Sequence, residues 1–223
     1  MNTPSTYTKM SLDKTLVFIG SEGGSLFEKF LEKDLFNEYV KAAVSYKNCG
    51  FSKIAKEWNI TCSILSKSSI SSYLIKEFGN NKNVIIINFS KLIFSSSFSN
   101  LFLNRAFNCH PSLLPSFKGL TAINDNLNSN SLFIGCSIHR IENDVDGGQC
   151  IIQSCSPFNP KQTFKYNRNI IFNLQLNILL QFVKWTISDR LKLKNNRCYI
   201  SNSSFELSNY SPNLDDDFIA HLS

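Results

Sequence analysis

The chain predicts an α/β fold: a doubly wound, mainly parallel sheet of Rossmann-like type in a single domain. Three observations carry this expectation. Short apolar runs alternate with segments of helical spacing through the first half of the chain. The first apolar run ends in a glycine-rich turn that leads into a helix. The run Val84 to Asn88 is apolar and β-branched until its last residue, as a strand covered on both faces should be.

Taken in order, Leu16 to Ile19 reads as a buried strand that ends at Gly20-Ser21-Glu22-Gly23-Gly24-Ser25, and Leu26 to Lys33 has helical spacing. Tyr39 to Ser45 is a second strand, Phe51 to Trp58 a helix and Thr61 to Leu65 a short strand. A helix over Ile70 to Phe78 is closed by Gly79 and Asn80, which suit a C-terminal cap. Val84 to Asn88 is the central strand, and Arg105 to Cys109 is one more. Pro111 and Pro115 then bound an irregular loop, because proline cannot donate to a sheet ladder. Leu132 to Ile141 and Gln149 to Ser154 read as strands around a turn at Gly147-Gly148. Ile171, Leu174, Ile178 and Phe182 share one face of a long helix from Thr163 to Ile187. The polar segment from Cys198 to Ser223 is expected to be a short strand and a loose tail.

Composition narrows the classes. With 223 residues and 43% hydrophobic content, the chain can bury a core without a metal or disulfide staple. Nineteen phenylalanines exclude a disordered chain, and nine glycines with six prolines exclude a collagen-like one. A formal charge of +6, from 23 basic and 17 acidic residues, suits a small anionic ligand better than a groove that tracks nucleic acid. The seven cysteines form no CxxC pair, so they read as reduced thiols of a cytoplasmic protein. Met1 to Ser11 is polar and unlike a secretory signal. The most apolar stretch, Ile170 to Trp185, is interrupted by Asn173, Gln175, Asn177 and Gln181, so no membrane span is expected.

Two segments carry the chemistry. In Phe107-Asn108-Cys109-His110-Pro111, Asn108 and His110 lie two apart in a strand and project to the same face, with Cys109 on the other. A polar pair at the carboxyl end of a parallel strand is where open α/β sheets bind ligands. By itself the pair also fits a turn cap and a structural histidine. In the second segment, Gly135-Cys136-Ser137-Ile138-His139 leads to Asp146-Gly147-Gly148. Paired glycines allow a tight turn and a close backbone approach, with the Asp146 carboxylate left free; a plain hairpin turn would look the same.

Together the two segments resemble the folate-dependent formyltransferases. The matching residues are Asn108-x-His110-Pro111-Ser112-Leu113-Leu114-Pro115, Phe117-Lys118-Gly119 and Asp146-Gly147-Gly148, and the separation of Asn108 from Asp146 is the one expected for that family's triad. Within the family, the long motif is most similar to the glycinamide ribonucleotide (GAR) formyltransferases of purine synthesis. The resemblance runs from Leu16 to Leu191. It implies a formyltransferase domain over 14–192, with a C-terminal strand and tail over 193–223.

The resemblance also implies a reaction. An amine attacks the formyl carbon of 10-formyltetrahydrofolate, with Asn108, His110 and Asp146 as the catalytic residues and no metal. Asn108 would donate to the developing oxyanion, and Asp146 would raise the pKa of His110. The folate would lie between Lys91, Leu92, Ile93 and Phe94 on one side and Glu142, Asn143 and Asp144 on the other, contacting Asn108 at its reacting end. Gly23, Gly24 and Ser25 would hold the substrate phosphate through backbone N–H groups. The implied partners are GAR and folate, with no nucleic acid or membrane, in a monomer or homodimer.

The acceptor end departs from the family pattern. Thr121-Ala122-Ile123 stands where a histidine is common, and Gln175-Leu176 where a Glu-His pair is common. Ser25 replaces an asparagine, and the loop from Leu65 to Tyr73 lacks an arginine, Lys67 being the nearest basic residue. These departures keep two alternatives open: transfer to a nucleotide-linked amino sugar, and a degenerate folate-binding homologue without activity.

Overall fold

Alternation of apolar side chains along the strands builds two cores, one on each face of a single sheet. In the computed structural model, which describes residues 13–195, 197–206 and 209–219, β1 (Thr15–Ile19) sends Leu16 and Phe18 to one core and Val17 and Ile19 to the other. The remaining strands are β2 (Val40–Ser45), β3 (Cys62–Ile64), β4 (Val84–Asn88), β5 (Ala106–His110), β6 (Phe133–Arg140), β7 (Cys150–Pro157), β8 (Leu191–Lys194), β9 (Arg197–Ile200) and β10 (Tyr210–Ser211). The sheet order is β10-β7-β6-β5-β4-β1-β2-β3. The five strands from β3 to β5 are parallel, and β6, β7 and β10 each run antiparallel to their neighbour. β8 and β9 form a separate hairpin.

Helices cover both faces, as the doubly wound expectation requires. α1 (Ser25–Glu32), α2 (Gly50–Glu57) and α6 (Phe164–Ile187) pack on the larger core. Phe18 sits there with ring centroids 5.0 Å from Phe27 and 5.1 Å from Phe30, and Phe107 meets Phe182 edge-on at 4.7 Å. α3 (Lys67–Phe78) and α4 (Ser96–Leu101) cover the other face with Ile70, Leu74, Phe98 and Phe102. α5 (Ala122–Leu127) and α7 (Asp216–Ile219) complete the helices.

The predicted strands are present, with ends that match or shift by up to three residues, the most at β7, which runs on to Pro157. Three short helices, α4, α5 and α7, and the short strands β8 and β10 were not expected. The serines of Ser95-Ser96-Ser97 favour local hydrogen bonds over a helix interior, and the feature that starts α4 is a cap in which Ser95 Oγ accepts from the Phe98 N–H at 3.3 Å. Gly79 closes α3 in a right-handed conformation with φ −57°, so it does not supply the left-handed cap expected of it.

α6 starts where predicted, with Thr163 Oγ1 accepting from the Tyr166 N–H at 3.2 Å. By length and composition alone it could cross a membrane, but 67% of its most apolar window is buried, and it is the main cover of the larger core. The segment beyond Ile200 is not loose where it is described. β10 adds to the sheet edge beside β7, and Leu214 and Phe218 are buried. The Asp215 carboxylate accepts from Trp185 Nε1 at 3.1 Å and Gln181 Nε2 at 3.2 Å, and it pairs with Arg190 and Lys184. The polar N-terminal stretch and the last four residues lie outside the described residues.

Asp215 thus ties the C-terminal segment to the end of α6. Replacing it by alanine leaves several partly buried donors without a partner, and should lower stability by about 1–3 kcal/mol. The urea midpoint of Asp215→Ala against the parent chain measures this.

Candidate active site

The register of three strands sets one polar row across the sheet. Asn88 of β4 lies beside Asn108 of β5 in the parallel ladder, and Asn108 lies opposite His139 of β6 in the antiparallel one. His110 follows Asn108 on the same face, while Cys109 turns into the larger core, as alternation predicts. Burial pushes the Cys109 thiol up to about 12, a core group and not a nucleophile.

The turn after β6 carries Asp146 back over this row. Asp146 itself takes the left-handed conformation, with φ 51°. Gly147 and Gly148 are needed for space, not for positive φ. A Cβ on Gly147 would lie 1.8 Å from the Asp144 carboxylate, and one on Gly148 would lie 2.0 Å from the Arg140 carbonyl. The carboxylate of Asp146 is not free, as the sequence reading had it. Its Oδ2 accepts the Gly119 N–H at 2.8 Å and lies 3.7 Å from His110 Nδ1. Its Oδ1 lies 3.5 Å from both Asn108 Nδ2 and His139 Nε2.

Carbonyl oxygens only accept, so they assign the ring protons. His110 Nε2–H donates to the Phe117 carbonyl at 3.0 Å, which leaves Nδ1 of the neutral ring bare toward Asp146. His139 Nδ1–H donates to the Arg140 carbonyl at 2.9 Å, and its bare Nε2 accepts from Asn108 Nδ2 at 3.2 Å. When His139 Nε2 carries a proton, that proton can turn to Asp146 Oδ1.

Burial of His110 outweighs the Phe117 hydrogen bond and the Asp146 charge, so its pKa is lowered. Asp146 does push the His110 pKa upward, as expected, but burial reverses the net direction. Burial opposes ionisation of Asp146 too. The His139 hydrogen bond, the charge on His110 and the Gly119 N–H together overcome it, holding Asp146 down at about 2. At neutral pH the pair is therefore a carboxylate beside a neutral imidazole.

These groups form the floor of an open cleft of about 1010 Å³. Its lining includes Gly23, Gly24 and Ser25, where the turn after β1 enters α1 and Gly24 takes φ 82° as the N-cap. Lys91, Leu92, Ile93 and Phe94 line the same cleft, as do Glu142, Asn143 and Asp144. The Glu142 carboxylate is held by Arg140 at 2.7 Å, so that wall presents mainly backbone at this position. Glu22, beside the glycine-rich turn, pairs with Lys47 at 3.3 Å. His110, His139 and Asp146 offer ligand-type atoms within 4.8 Å of one another. Asn108 aims amide hydrogens, not lone pairs, at this cluster, an arrangement that suits proton relay better than a cation.

The formyl transferase profile matches residues 15–183, most of the chain and all of this site. The chain belongs to the formyl transferase family. A phosphoribosylglycinamide formyltransferase of Haemophilus influenzae is 25% identical over 128 residues, covering 57% of this chain and 60% of the relative. A methionyl-tRNA formyltransferase of Thermotoga neapolitana is 24% identical over 162 residues, covering 71% of this chain and 49% of the relative. Among solved structures, a phosphoribosylglycinamide formyltransferase of Coxiella burnetii superposes with a TM-score of 0.76 at 22% identity, covering 84% of this chain and 93% of that one. The matched regions thus span about 60% or less of the lengths of these two curated relatives.

As a formyl transferase, the chain brings Asn108, His110 and Asp146 together and lines one cleft with Gly23, Gly24, Ser25, Lys91 to Phe94 and Glu142 to Asp144, the other site residues expected from the sequence; Leu176 and Lys67 do not line it. His139 was missed as a site residue, although its motif was noted. Its signal was the antiparallel pairing with Asn108, which only the strand register reveals. Arg168, Phe172 and Gln175 also line the cleft from one face of α6; of these, only Gln175 was noted.

The depressed pKa of Asp146 stabilises the fold at any pH above its ordinary value of 3.8, and this contribution is lost as pH falls toward about 2. Urea unfolding of the parent and of Asp146→Asn along a descending pH series should show this acid-sensitive component in the parent alone.

Proposed function

We propose that this formyl transferase moves the formyl group of 10-formyltetrahydrofolate to the primary amine of 5-phosphoribosylglycinamide, a step of de novo purine synthesis. The observation that carries the reading is the convergence of Asn108, His110 and Asp146 in a cleft that is also lined by the glycine-rich turn after β1 and by Lys91 to Phe94. The folate would lie along Lys91 to Phe94 and Glu142 to Asp144, with its formyl end at Asn108. The substrate phosphate would meet the N–H groups of Gly23, Gly24 and Ser25. The catalytic unit would comprise residues 14–192, in a monomer or homodimer. Seven free cysteines suit the reducing cytoplasm as its location.

In this mechanism the neutral amine attacks the formyl carbon, the C–N bond forms and the carbonyl oxygen becomes an oxyanion. An Asn108 N–H donates to that oxygen, a role worth about 10²–10³ in rate for one preorganised donor. The new ammonium passes a proton to the bare Nδ1 of His110, and Asp146 stabilises the imidazolium. With its pKa near 2, Asp146 is too weak a base to hold the proton itself, so it orients and charges His110. The imidazolium then protonates N10 of the folate as the C–N10 bond breaks. No net proton is gained or lost, and no metal or covalent nucleophile takes part.

One feature favours a second acceptor class. The face of α6 toward the cleft carries Arg168 and Gln175, a cation and an amide. A nucleotide-linked amino sugar would give Arg168 a second phosphate.

Turnover is followed as release of tetrahydrofolate from 10-formyltetrahydrofolate. Release that depends on 5-phosphoribosylglycinamide supports the purine reading. Release only with an amino-sugar nucleotide moves the acceptor, and none with any amine overturns the enzyme reading. His110→Ala should lower kcat by about 10²–10⁴, the range for a general acid–base group, with little change in folate KM. The acid limb of kcat/KM should fall below the ordinary histidine value of 6.5, because burial lowers the His110 pKa. A limb above that value would contradict the neutral starting state.

A further inference from the structure

Asn108 can serve as a donor to the reacting centre only if its side-chain amide faces that way. An asparagine amide is nearly symmetric in shape, and its orientation is set by its partners. Nothing on β5 itself fixes it. His139 and Asp146 accept from the Asn108 nitrogen, and the shortest of its side-chain contacts, to its oxygen, comes from the neighbouring strand β4.

Asn88, the last residue of β4, is 2% exposed, and its amide is surrounded by partners of known sense. The backbone N–H of Ser90 can only donate, and it meets Asn88 Oδ1 at 3.0 Å. The Ser90 hydroxyl donates to the same oxygen at 2.7 Å. Those two bonds place the Asn88 oxygen toward Ser90 and its nitrogen toward β5. Asn88 Nδ2 donates to the Ser90 carbonyl at 3.0 Å and to Asn108 Oδ1, also at 3.0 Å. With its oxygen so engaged, Asn108 has one orientation left, in which Nδ2 points at Asp146 and His139.

We propose that Asn88 is a positioning residue for formyl transfer, fixing the Asn108 amide so that its N–H groups face the reacting carbonyl. Asn88 does not line up with the reacting atoms itself; it acts through Asn108. The inference rests on the formyl-transfer reading above and deepens it. The same amide also steadies the folate wall, because Ser90 Oγ accepts the Leu92 N–H at 3.3 Å. A role confined to the wall would change folate affinity. A role in orienting Asn108 changes the chemical step.

The test compares the parent chain, Asn88→Asp, Asn108→Ala and the double variant, by steady-state kinetics with 10-formyltetrahydrofolate and 5-phosphoribosylglycinamide, or the amino-sugar nucleotide if that proves to be the acceptor. Asn88→Asp keeps an acceptor for Ser90 but turns an oxygen to Asn108 Oδ1, so Asn108 loses its donor. The expected result is a fall in kcat of about 10- to 100-fold, the scale of a misplaced oxyanion donor, with folate KM within about twofold of the parent. In the Asn108→Ala background the same substitution should add no more than about twofold, because residues acting through one group are not additive. An unchanged kcat, a rise in folate KM at constant kcat, or an equal effect in both backgrounds would each overturn the proposal. Should Asn88→Asp not fold, Asn88→Ala supplies the same readouts, with kcat expected to fall about tenfold. A parent chain inactive on every acceptor removes the formyl-transfer reading itself. Activity lost in Asn108→Ala but intact in both Asn88 variants removes this inference alone.

Discussion

Everything in the site depends on a line of polar side chains that crosses the middle of an apolar sheet. Asn88, Asn108 and His139 occupy adjacent strands, and each lies beside or opposite the next in the ladder. Burying such groups is costly unless each finds its partners, so the row acts as a registration mark. A slip of one residue between β4 and β5 would turn Asn108 into the larger core and Phe107 toward the cleft. The hydrophobic cores on the two faces hold the strands, and the polar row tells them where to stop.

The switch from parallel to antiparallel pairing at β5 supplies the rest. Because β6 returns alongside β5, the chain leaving it can place the Asp146 turn over the row within a few residues. The two glycines after Asp146 let that turn lie flat on Arg140 and Asp144, and the loop after His110 meets it through the Gly119 N–H. The Asp146 carboxylate therefore meets the Asn108 amide and His110 imidazole of β5 from a second stretch of chain with a short connection. The electrostatic result is a carboxylate that stays charged far into acid beside a buried imidazole that resists charging. In the proposed reaction, such a pair would take up a proton and release it again.

Much of this was legible in the order of residues. The alternation of apolar runs gave away the doubly wound sheet, and the two-residue spacing of Asn108 and His110 showed their shared face. What could not be read was anything set by contact across strands. His139 and Asn88 were visible as polar residues in apolar runs, but their pairing with Asn108 is a matter of register. The direction of the His110 shift was misread because burial, which a sequence does not display, outweighs the neighbouring charge. The tail after Ile200 looked loose because its anchor, Asp215 on Trp185 and Arg190, is one carboxylate in a polar stretch.

The helix α6 is at once the main cover of the larger core and one wall of the cleft, with Arg168, Phe172 and Gln175 on the exposed part of its inner face. A wall of this kind cannot be rebuilt by lengthening or shortening a loop, since any insertion would rotate the buried residues beyond it out of the core. Divergence toward a new acceptor is therefore confined to single exchanges at fixed stations along a rigid rod. The scaffold behaves as a lock whose barrel is cast in place while a few pins are cut to suit.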